Sequence, residues 1–338
     1  MKPSKFLLAL LVCALGAAIL VAPRSHAANK DKKKPKTWEE RRDSTLVEPT
    51  AEEKTLIADA LPAHPTAAPK KARRILVFWR CETFIHKSIP FGNHALLEMG
   101  AKTGAWETDL AQDYAVFTPK NLANYDAVVF NNTTSLVFEN DAQRAALMDF
   151  VKSGKGIVGI HAASDSFYQW EEASSMIGGQ FNGHPWTQNG NWAFKLDDAA
   201  HPLNKAFAGK GFWHKDEIYW YKPETFAGKN NLRLLVSLDM ARGENQKALD
   251  NKKYQDKAPA DRGTLEVPVS WLREFAGGRI FYTNLGHRND TYWQPAILQH
   301  YLDGIQYALG DLAADATPSA KAKGLKIADA PPAPPVKE

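Results

Sequence analysis

The chain contains 338 residues, 44% of them hydrophobic, which is enough to bury a sizeable core in one large domain or two small ones. The formal charge of +4 drops to about +1 once residues 1–27, which hold three basic residues and no acid, are set aside. This near-neutral balance gives no reason to expect a nucleic acid as a partner.

The N-terminus has the three parts of a signal peptide. Lys2 and Lys5 are basic, Phe6–Val21 is an apolar run too short to favour a membrane span, and the SHA motif fits cleavage before Ala28. We expect residues 1–27 to be removed on export to the periplasm or the medium, leaving no membrane span. Only Cys81 then remains, so the mature chain cannot form an intramolecular disulfide.

Two low-complexity segments flank the region that is predicted to be globular. Residues 28–72 read as a charged lead and a Pro-rich linker, in which Thr50–Pro62 predicts a short helix with Thr50 and Glu53 as a capping box. Residues 313–338 are rich in Ala, Pro and Lys and are predicted to be disordered. The globular domain is expected at residues 73–312.

Strands and helices alternate in this domain, as in right-handed βαβ units with a parallel sheet. The first half predicts a strand, helix, strand, helix and strand at Arg74–Trp79, Phe91–Thr103, Asp126–Asn132, Glu139–Ser153 and Gly156–Ile160. The second half predicts extra strands and a last helix at Asn191–Asp197, Leu232–Asp239, Glu266–Phe275, Gly278–Gly286 and Pro295–Leu309. The polar stretch Arg242–Thr264 is expected to be a surface excursion. The pattern indicates one α/β domain.

Polar side chains follow several of the predicted strands, and in an open α/β sheet such loops gather at one crevice. The candidate site residues are His86, Asn132, His161, Asp165, Tyr168, His184, Trp186, Glu217, Tyr219 and His287. Imidazoles are the natural acid–base groups near neutral pH. Three of them with a carboxylate could also bind Zn²⁺, although the chain has no HExxH pair. The sequence has no G-x-S-x-G motif, which would indicate a Ser nucleophile, and no G-x-G-x-x-G motif after the first strand, which would indicate a tightly bound dinucleotide.

Some of these residues also have a purely structural interpretation. His161 could do no more than hydrogen-bond backbone at the strand end, and Asp165 could be the N-cap of the next helix. His201 is expected in a surface turn, and His300 is expected in a packing or surface position of the last helix.

The chain resembles the ThuA-like family, named for trehalose utilisation, over about residues 73–311. The resemblance rests on seven blocks in the family's order: LVFWRCETFIHKSIP, YDAVVFNNTT, FVKSGKGIVGIHAASDSFYQW, IGGQFNGHPW, KDEIYWY, VSWLREFAGGRIFYTNLGH and WQPAILQHYLDGIQYALGD. It implies a flavodoxin-like, class I glutamine amidotransferase-like fold, with a parallel sheet, helices on both faces and extra β-strands in the second half. In true amidotransferases the third buried strand ends in a sharp elbow with a nucleophilic Cys, and His161 takes that place here. The resemblance therefore implies no glutaminase activity, because an imidazole cannot form the usual thioester.

The family is associated with disaccharide use beside oxidoreductases that make 3-keto sugars. By this resemblance we expect an exported carbohydrate-catabolism protein that acts on a (3-keto-)disaccharide or glycoside by His/Glu proton transfer, with a functional link to a sugar 3-dehydrogenase. The expected catalytic residues are His161 as the central acid or base, Glu217, His184 and His287. The expected substrate-binding residues are His86, Asn132, Asp165, Tyr168, Trp186 and Tyr219. A non-catalytic sugar-binding protein and a metal-assisted hydrolase stay open as alternatives, and a divalent metal is the one cofactor considered.

Overall fold

The computed structural model describes residues 36–334. The predicted signal peptide, the start of the lead and the last four residues lie outside this range. The helices of the described residues are α1 (Trp38–Thr45), α2 (Ala51–Ala60), α3 (Ile89–Thr103), α4 (Pro119–Leu122), α5 (Asp141–Lys152), α6 (Glu171–Ile177), α7 (Gly228–Asn231), α8 (Gly243–Lys247) and α9 (Pro295–Leu309). The strands are β1 (Arg74–Phe78), β2 (Glu107–Ala111), β3 (Ala127–Asn131), β4 (Gly156–Ile160), β5 (Phe181–Trp186), β6 (Asn191–Leu196), β7 (Phe212–Lys215), β8 (Ile218–Tyr221), β9 (Arg233–Leu238), β10 (Pro268–Phe275) and β11 (Gly278–Thr283). None of these helices is long and apolar enough to cross a bilayer.

In the described part of the chain, nine strands form one mixed sheet in the order β2-β1-β3-β4-β11-β10-β9-β6-β7. The first five are parallel to their neighbours, and the remaining pairings are antiparallel. The parallel part has the strand order of flavodoxin-like folds. The predicted α/β fold with extra strands in the second half is therefore confirmed.

Helices cover both faces of the parallel part. Along β1, Ile75 and Val77 pack into one core with α3 and α9, whereas Leu76 and Phe78 pack into the other with α5 and α6. A strand that is buried on both faces reads as a continuous apolar run rather than an alternating one. This is why the sequence predicts these strands well.

The register brings the carboxyl ends of three neighbouring strands to one level. Asn131 of β3 lies opposite Ile160 of β4, and Ile160 lies opposite Thr283 of β11. The residues that follow these strands are therefore neighbours at one edge of the sheet, namely Asn132, His161 and Asn284.

Within residues 28–72, the prediction of a Pro-rich linker is wrong for the stretch that follows α2. Both α1 and α2 begin with a capping box, and the box at Thr50 confirms the predicted helix. Ile57 of α2 is fully buried in the core. The Pro-rich stretch that follows is tied to α9, because Ala67 N–H donates to Gln306 Oε1 and Gln306 Nε2 donates to the Ala67 carbonyl. Composition indicated a linker, but long-range hydrogen bonds hold it in place.

The predicted disorder of residues 313–338 is wrong for residues 313–334. Ala328 forms an antiparallel bridge with Leu196 at the end of β6, through two backbone hydrogen bonds. Ala330 is buried, and its N–H donates to the Asp239 carboxylate over 3.0 Å. The tail has few large apolar side chains, so its order depends on backbone groups that the sheet satisfies. Composition does not reveal such partners.

Candidate active site

Five side chains from different parts of the sequence meet at the carboxyl edge of the parallel strands. His86 follows β1, His161 follows β4 and His287 follows β11, while Glu217 directly precedes β8 and His184 lies on β5. Loops at this edge of an open α/β sheet are the usual place for a ligand. The stretch around His184, expected to be a loop, is a strand that pairs with β8 and so brings His184 beside Glu217.

The chain turns sharply where β4 ends. His161 has a φ of +46°, in the left-handed region that residues other than glycine seldom adopt. Its carbonyl accepts a hydrogen bond from the Tyr282 hydroxyl over 2.7 Å, which holds the turn. Gly159 permits the close packing, since a Cβ there would lie 2.8 Å from the Tyr282 ring. A strained residue held in this way at a strand end is typical of a functional position.

The imidazole of His161 is completely buried and has a defined orientation. Its Nδ1 lies 2.7 Å from the carbonyl oxygen of Asn284. Because a carbonyl can only accept, Nδ1 carries the proton and Nε2 keeps a lone pair. Nε2 lies 3.2 Å from His287 Nδ1 and 3.8 Å from Glu217 Oε1. The structural interpretation is thus correct for one ring nitrogen only.

The carboxylate of Glu217 lies between two imidazoles. Its Oε1 is 3.3 Å from His287 Nδ1, and its Oε2 is 3.2 Å from His184 Nδ1. The second contact has the distance of an ion pair but lacks the alignment of a hydrogen bond. The side chain of His184 is 41% exposed, whereas that of Glu217 is 10% exposed. His184 is therefore the member of this group that solvent and a substrate reach most easily.

His86 completes the cluster from the side of β1. Its ring lies edge-on to His161 and His287, with centroids 4.9 and 5.1 Å away. Burial, followed by repulsion from His287 and His184, holds the pKa of His86 well below its usual value. Burial and repulsion from His86 and His287 do the same to the pKa of His161. One ligand atom each from His86, His161, His287 and Glu217 lies within 4.8 Å of the others, so these four residues could hold a metal ion.

Asp216 positions two parts of the site, and the sequence analysis assigned it no role. Its buried carboxylate accepts five hydrogen bonds of 2.7 to 3.2 Å, from the backbone N–H groups of Glu217, Gly286, His287 and Arg288 and the hydroxyl of Thr291. Burial raises the pKa of Asp216. The carboxylate thereby ties the loop that carries His287 to the start of β8. The available signal was an acid next to Glu217 and ahead of the apolar IYWY run.

A family model described as "ThuA: Trehalose utilisation" matches residues 74–308. The chain belongs to the ThuA family. Among solved structures, a ThuA-like protein from Bacteroides uniformis ATCC 8492 is 20% identical with a TM-score of 0.51, over 72% of this chain and 95% of that chain. A ThuA-like protein from Parabacteroides merdae ATCC 43184 is 17% identical with a TM-score of 0.52, over 72% of this chain and 92% of that chain. No curated protein matches the chain. Family membership associates the chain with a carbohydrate-related function.

The only cysteine among the described residues of this ThuA family member is unsuited to nucleophilic chemistry. Cys81 follows β1, is fully buried, and directs its thiol to the carbonyl of Asn132 over 3.2 Å. Burial raises the pKa of Cys81 to about 12, so it stays a neutral thiol at physiological pH.

Three of the residues predicted to bind substrate are occupied elsewhere. Trp186 is fully buried in the hydrophobic core, and its Nε1 donates to the carbonyl of Asn245. Asn132 is also buried, and its amide nitrogen is committed to the Asn131 side chain and the Tyr292 hydroxyl. Tyr219 is buried with its ring centroid 4.5 Å from that of His161. All three side chains are buried, and of these contacts only that of Tyr219 is with a member of the cluster.

Asp165 and Tyr168 form a separate pair. The Tyr168 hydroxyl donates to the Asp165 carboxylate, and burial raises the pKa of Asp165 to about 6. Asp165 is not an N-cap, because α6 begins at Glu171 and the residue in the cap position is Trp170. The Lys222 ammonium lies 4.7 Å above the Tyr168 ring.

Two further residues orient the cluster and were missed. Asn284 accepts the backbone N–H of Tyr219 through its side-chain oxygen, while its carbonyl holds His161. Tyr254, from the stretch expected to be a surface excursion, is buried, and its hydroxyl accepts the backbone N–H of His184 over 3.2 Å. Both act through hydrogen bonds that no local pattern predicts.

A cleft of about 650 Å³ adjoins the cluster, and His86 and His287 belong to its lining. This volume is in the range of small-molecule sites. The other walls come from the lead and from three loops, and include Thr45, Glu53, Phe84, Lys87, Gln188, Arg288, Asp290 and Trp293. The lead thus forms part of the cleft wall, a role that the sequence did not predict.

Proposed function

We propose that the chain is an exported carbohydrate-catabolism enzyme that removes a proton from the carbon beside the ketone of a 3-keto-disaccharide or 3-keto-glycoside. The observation that carries this proposal is the Glu217 carboxylate, each oxygen of which lies within 3.3 Å of a different imidazole. A carboxylate and an imidazole in such proximity can exchange a proton with little movement. Membership in the trehalose-utilisation family supports the sugar as the substrate class.

The roles within the cluster follow from exposure. His184 is half-exposed and paired with Glu217, so this pair is the proton carrier that a sugar can reach. The side chain of His161 is 0% exposed, and we therefore assign it to positioning rather than to the central acid–base role that the sequence indicated. The Nδ1 atom of His287 lies 3.2 Å from His161 Nε2 and 3.3 Å from Glu217 Oε1, and we assign to His287 the hydrogen bond to the developing oxyanion.

The proposed step is the breaking of the C2–H bond next to the C3 ketone. The proton passes to the Glu217–His184 pair, and the electron pair moves to the C3 oxygen to give an enediolate. Return of a proton to C2 completes the exchange. The removal of the C2 proton is the step that isomerisation, elimination and hydrolysis of such a sugar would share. The C3 ketone must come from oxidation of a secondary alcohol, which is the reaction class of a sugar 3-dehydrogenase. The proposal does not include glutamine hydrolysis, because His161 occupies the position at which an amidotransferase has its nucleophilic Cys.

Export belongs to the same proposal and rests on the sequence of residues 1–27. The expected mature protein begins at Ala28 and is found in the periplasm or the medium. N-terminal sequencing of the protein from those fractions tests this part, and an intact Met1 in the cytoplasmic fraction would refute it.

The deciding experiment is NMR of the mature chain with 3-keto-trehalose and methyl 3-keto-glucoside in D₂O. We expect deuterium to enter at C2 and expect Glu217→Gln to abolish the exchange. Glu224→Gln is the matched control, because Glu224 is exposed and lies outside the cluster. This variant should catalyse deuterium exchange at the wild-type rate. Broadening of the sugar signals without exchange would show that the chain binds the sugar but does not catalyse the reaction. Absence of both broadening and exchange would contradict the proposal that a 3-keto sugar is the ligand.

A further inference from the structure

We propose that His86, His161, His287 and Glu217 bind one divalent transition-metal ion, an inference that rests on the proposed function for its part in the reaction. The four residues come from the ends of β1, β4 and β11 and the start of β8, so only the tertiary structure assembles them. Three imidazole nitrogens and one carboxylate oxygen are a donor set that suits Zn²⁺ and neighbouring first-row ions.

Three of the four donor atoms have distances close to those around a tetrahedral ion. His161 Nε2 and His287 Nδ1 are 3.2 Å apart, and Glu217 Oε1 lies 3.3 Å from the second nitrogen and 3.8 Å from the first. Ligand atoms about 2.0–2.2 Å from a tetrahedral Zn²⁺ are about 3.3–3.6 Å from each other. These three atoms therefore need shifts of only a few tenths of an ångström to surround an ion, and the ligand atom of His86 lies within 4.8 Å of each of them.

The histidines are prepared as ligands by their other contacts. The Asn284 carbonyl holds the proton of His161 on Nδ1, which leaves the Nε2 lone pair directed into the cluster. A backbone carbonyl behind an imidazole is the usual support of a metal-binding histidine. His86 is buried, and its Nδ1 has no hydrogen-bond partner among residues 36–334. A buried polar atom without a partner is costly, and a bound ion beside the ring would account for its position.

Glu217 divides its two oxygens between two tasks. Oε1 faces His161 and His287, whereas Oε2 faces the half-exposed His184. In the described part of the chain the ion-pair partners of Glu217 are all histidines, with no Lys or Arg among them. A divalent ion would balance this buried negative charge while leaving His184 free to carry a proton. When bound, such an ion polarises a substrate carbonyl as a Lewis acid.

The test is metal binding by the mature chain after removal of bound metal with EDTA. Titration with Zn²⁺ and with Co²⁺ should show one ion per chain, a rise in melting temperature of several degrees, and the visible absorption of tetrahedral Co²⁺. Glu217→Gln keeps the shape of the side chain and should weaken Zn²⁺ binding at least a hundredfold. His86→Ala should do the same by removing one ligand.

His64→Ala is the matched control, because this exposed histidine lies outside the cluster and its loss should leave binding unchanged. Failure of the wild-type chain to bind Zn²⁺ or Co²⁺ at micromolar concentration would overturn the site. Equal binding by the wild type and the Glu217→Gln and His86→Ala variants would also overturn it.

The outcome is separable from that of the proposed function. One bound ion without deuterium exchange would keep the metal site and reject the proton-transfer reaction. Exchange that persists in metal-free protein would keep the reaction and reject a part for the ion in it.

Discussion

Two fully buried histidines show how the two parts of the sheet differ. His300 packs beside the antiparallel strands, and both of its ring nitrogens are satisfied, by Ser270 Oγ at 2.8 Å and the Leu203 carbonyl at 2.7 Å. His161 at the parallel edge has one nitrogen on a backbone carbonyl and the other facing His287 and Glu217. Burial alone therefore does not distinguish these two histidines. The partner of the second nitrogen does.

The same contrast extends to charged groups. In the antiparallel half, the buried Arg233 and Asp198 pair directly at 2.7 Å. At the parallel edge, Glu217 has only imidazoles as partners. The antiparallel half thus uses polar groups to stabilise the fold, whereas the parallel edge keeps groups that can change their protonation or bind a ligand.

After the loss of Glu217, the largest effect is expected for His161→Asn. Asparagine tolerates the left-handed backbone but lacks the Nε2 atom that contacts His287, so His287 is no longer held in place and the rate of C2 deuterium exchange should fall about a hundredfold. His300→Asn should instead lower the free energy of unfolding by about 2–3 kcal/mol, because it breaks satisfied buried hydrogen bonds. Exchange rates and urea unfolding of both variants check this. An equal fall in the exchange rate of the two variants would contradict the different roles assigned to His161 and His300.

Arg233→Ala should lower the free energy of unfolding by about 3 kcal/mol, because it leaves the carboxylate of Asp198 buried without its partner. The exchange rate per folded molecule should not change. Arg262→Ala is the matched control, since its partner Asp250 is 67% exposed and the pair should contribute less than about 1 kcal/mol. Urea unfolding measures both. Equal decreases in the free energy of unfolding would show that burial of the ion pair does not determine its contribution to stability.

Asp197 should make the stability depend on pH without affecting the site. Burial raises its pKa to about 6, while its carboxylate accepts from Ser237 Oγ. The folded state binds this proton more tightly than the unfolded state, so the stabilisation of about 3 kcal/mol is complete below about pH 4 and is lost as the pH rises through about 6. Asp197→Asn should flatten this part of the curve. Urea unfolding between pH 4 and 8 would contradict the assignment if variant and wild type had the same slope.

The smallest effect is expected in the cleft. Trp293→Leu and Glu53→Gln should raise KM for 3-keto-trehalose about five- to tenfold, equivalent to about 1 kcal/mol, because the second ring would lie between these walls. Methyl 3-keto-glucoside lacks that ring and should keep its KM. Glu52→Gln, on the exposed side of α2, is the control. An equal rise in KM for both substrates would contradict the position of the second sugar ring between Trp293 and Glu53.

Much of the fold could be predicted because buried parallel strands are continuous apolar runs. The strand observed at Ala127–Asn131 lies within the predicted Asp126–Asn132, and α9 has the predicted bounds. The order of the lead and the tail could not be predicted, since it depends on hydrogen bonds to residues far along the chain. His201, expected in a surface turn, is buried and bonds to the carbonyl of Asp315 in that tail.

The candidate site was predictable as a set of residue types but not as an arrangement. His86, His161 and His287 follow strands, and the sequence therefore indicated them. Trp186 was assigned to the pocket because a Trp suits a sugar, yet the residue type does not tell which face of a strand it lies on. Asp216 went unassigned because its role depends on five donors, four of which lie 70 to 75 residues further along the chain.

The sequence by itself determined the family, the parallel α/β architecture and the histidines at the strand ends, because apolar periodicity and local motifs are short-range properties. Only the tertiary structure decided that His161 is closed to solvent, that Glu217 divides its oxygens between two imidazoles, and that Asp216 joins their loops. These features depend on the register of strands far apart in the chain. Hydrogen-bond distances of about 3 Å are set by that register and not by any neighbour in the sequence.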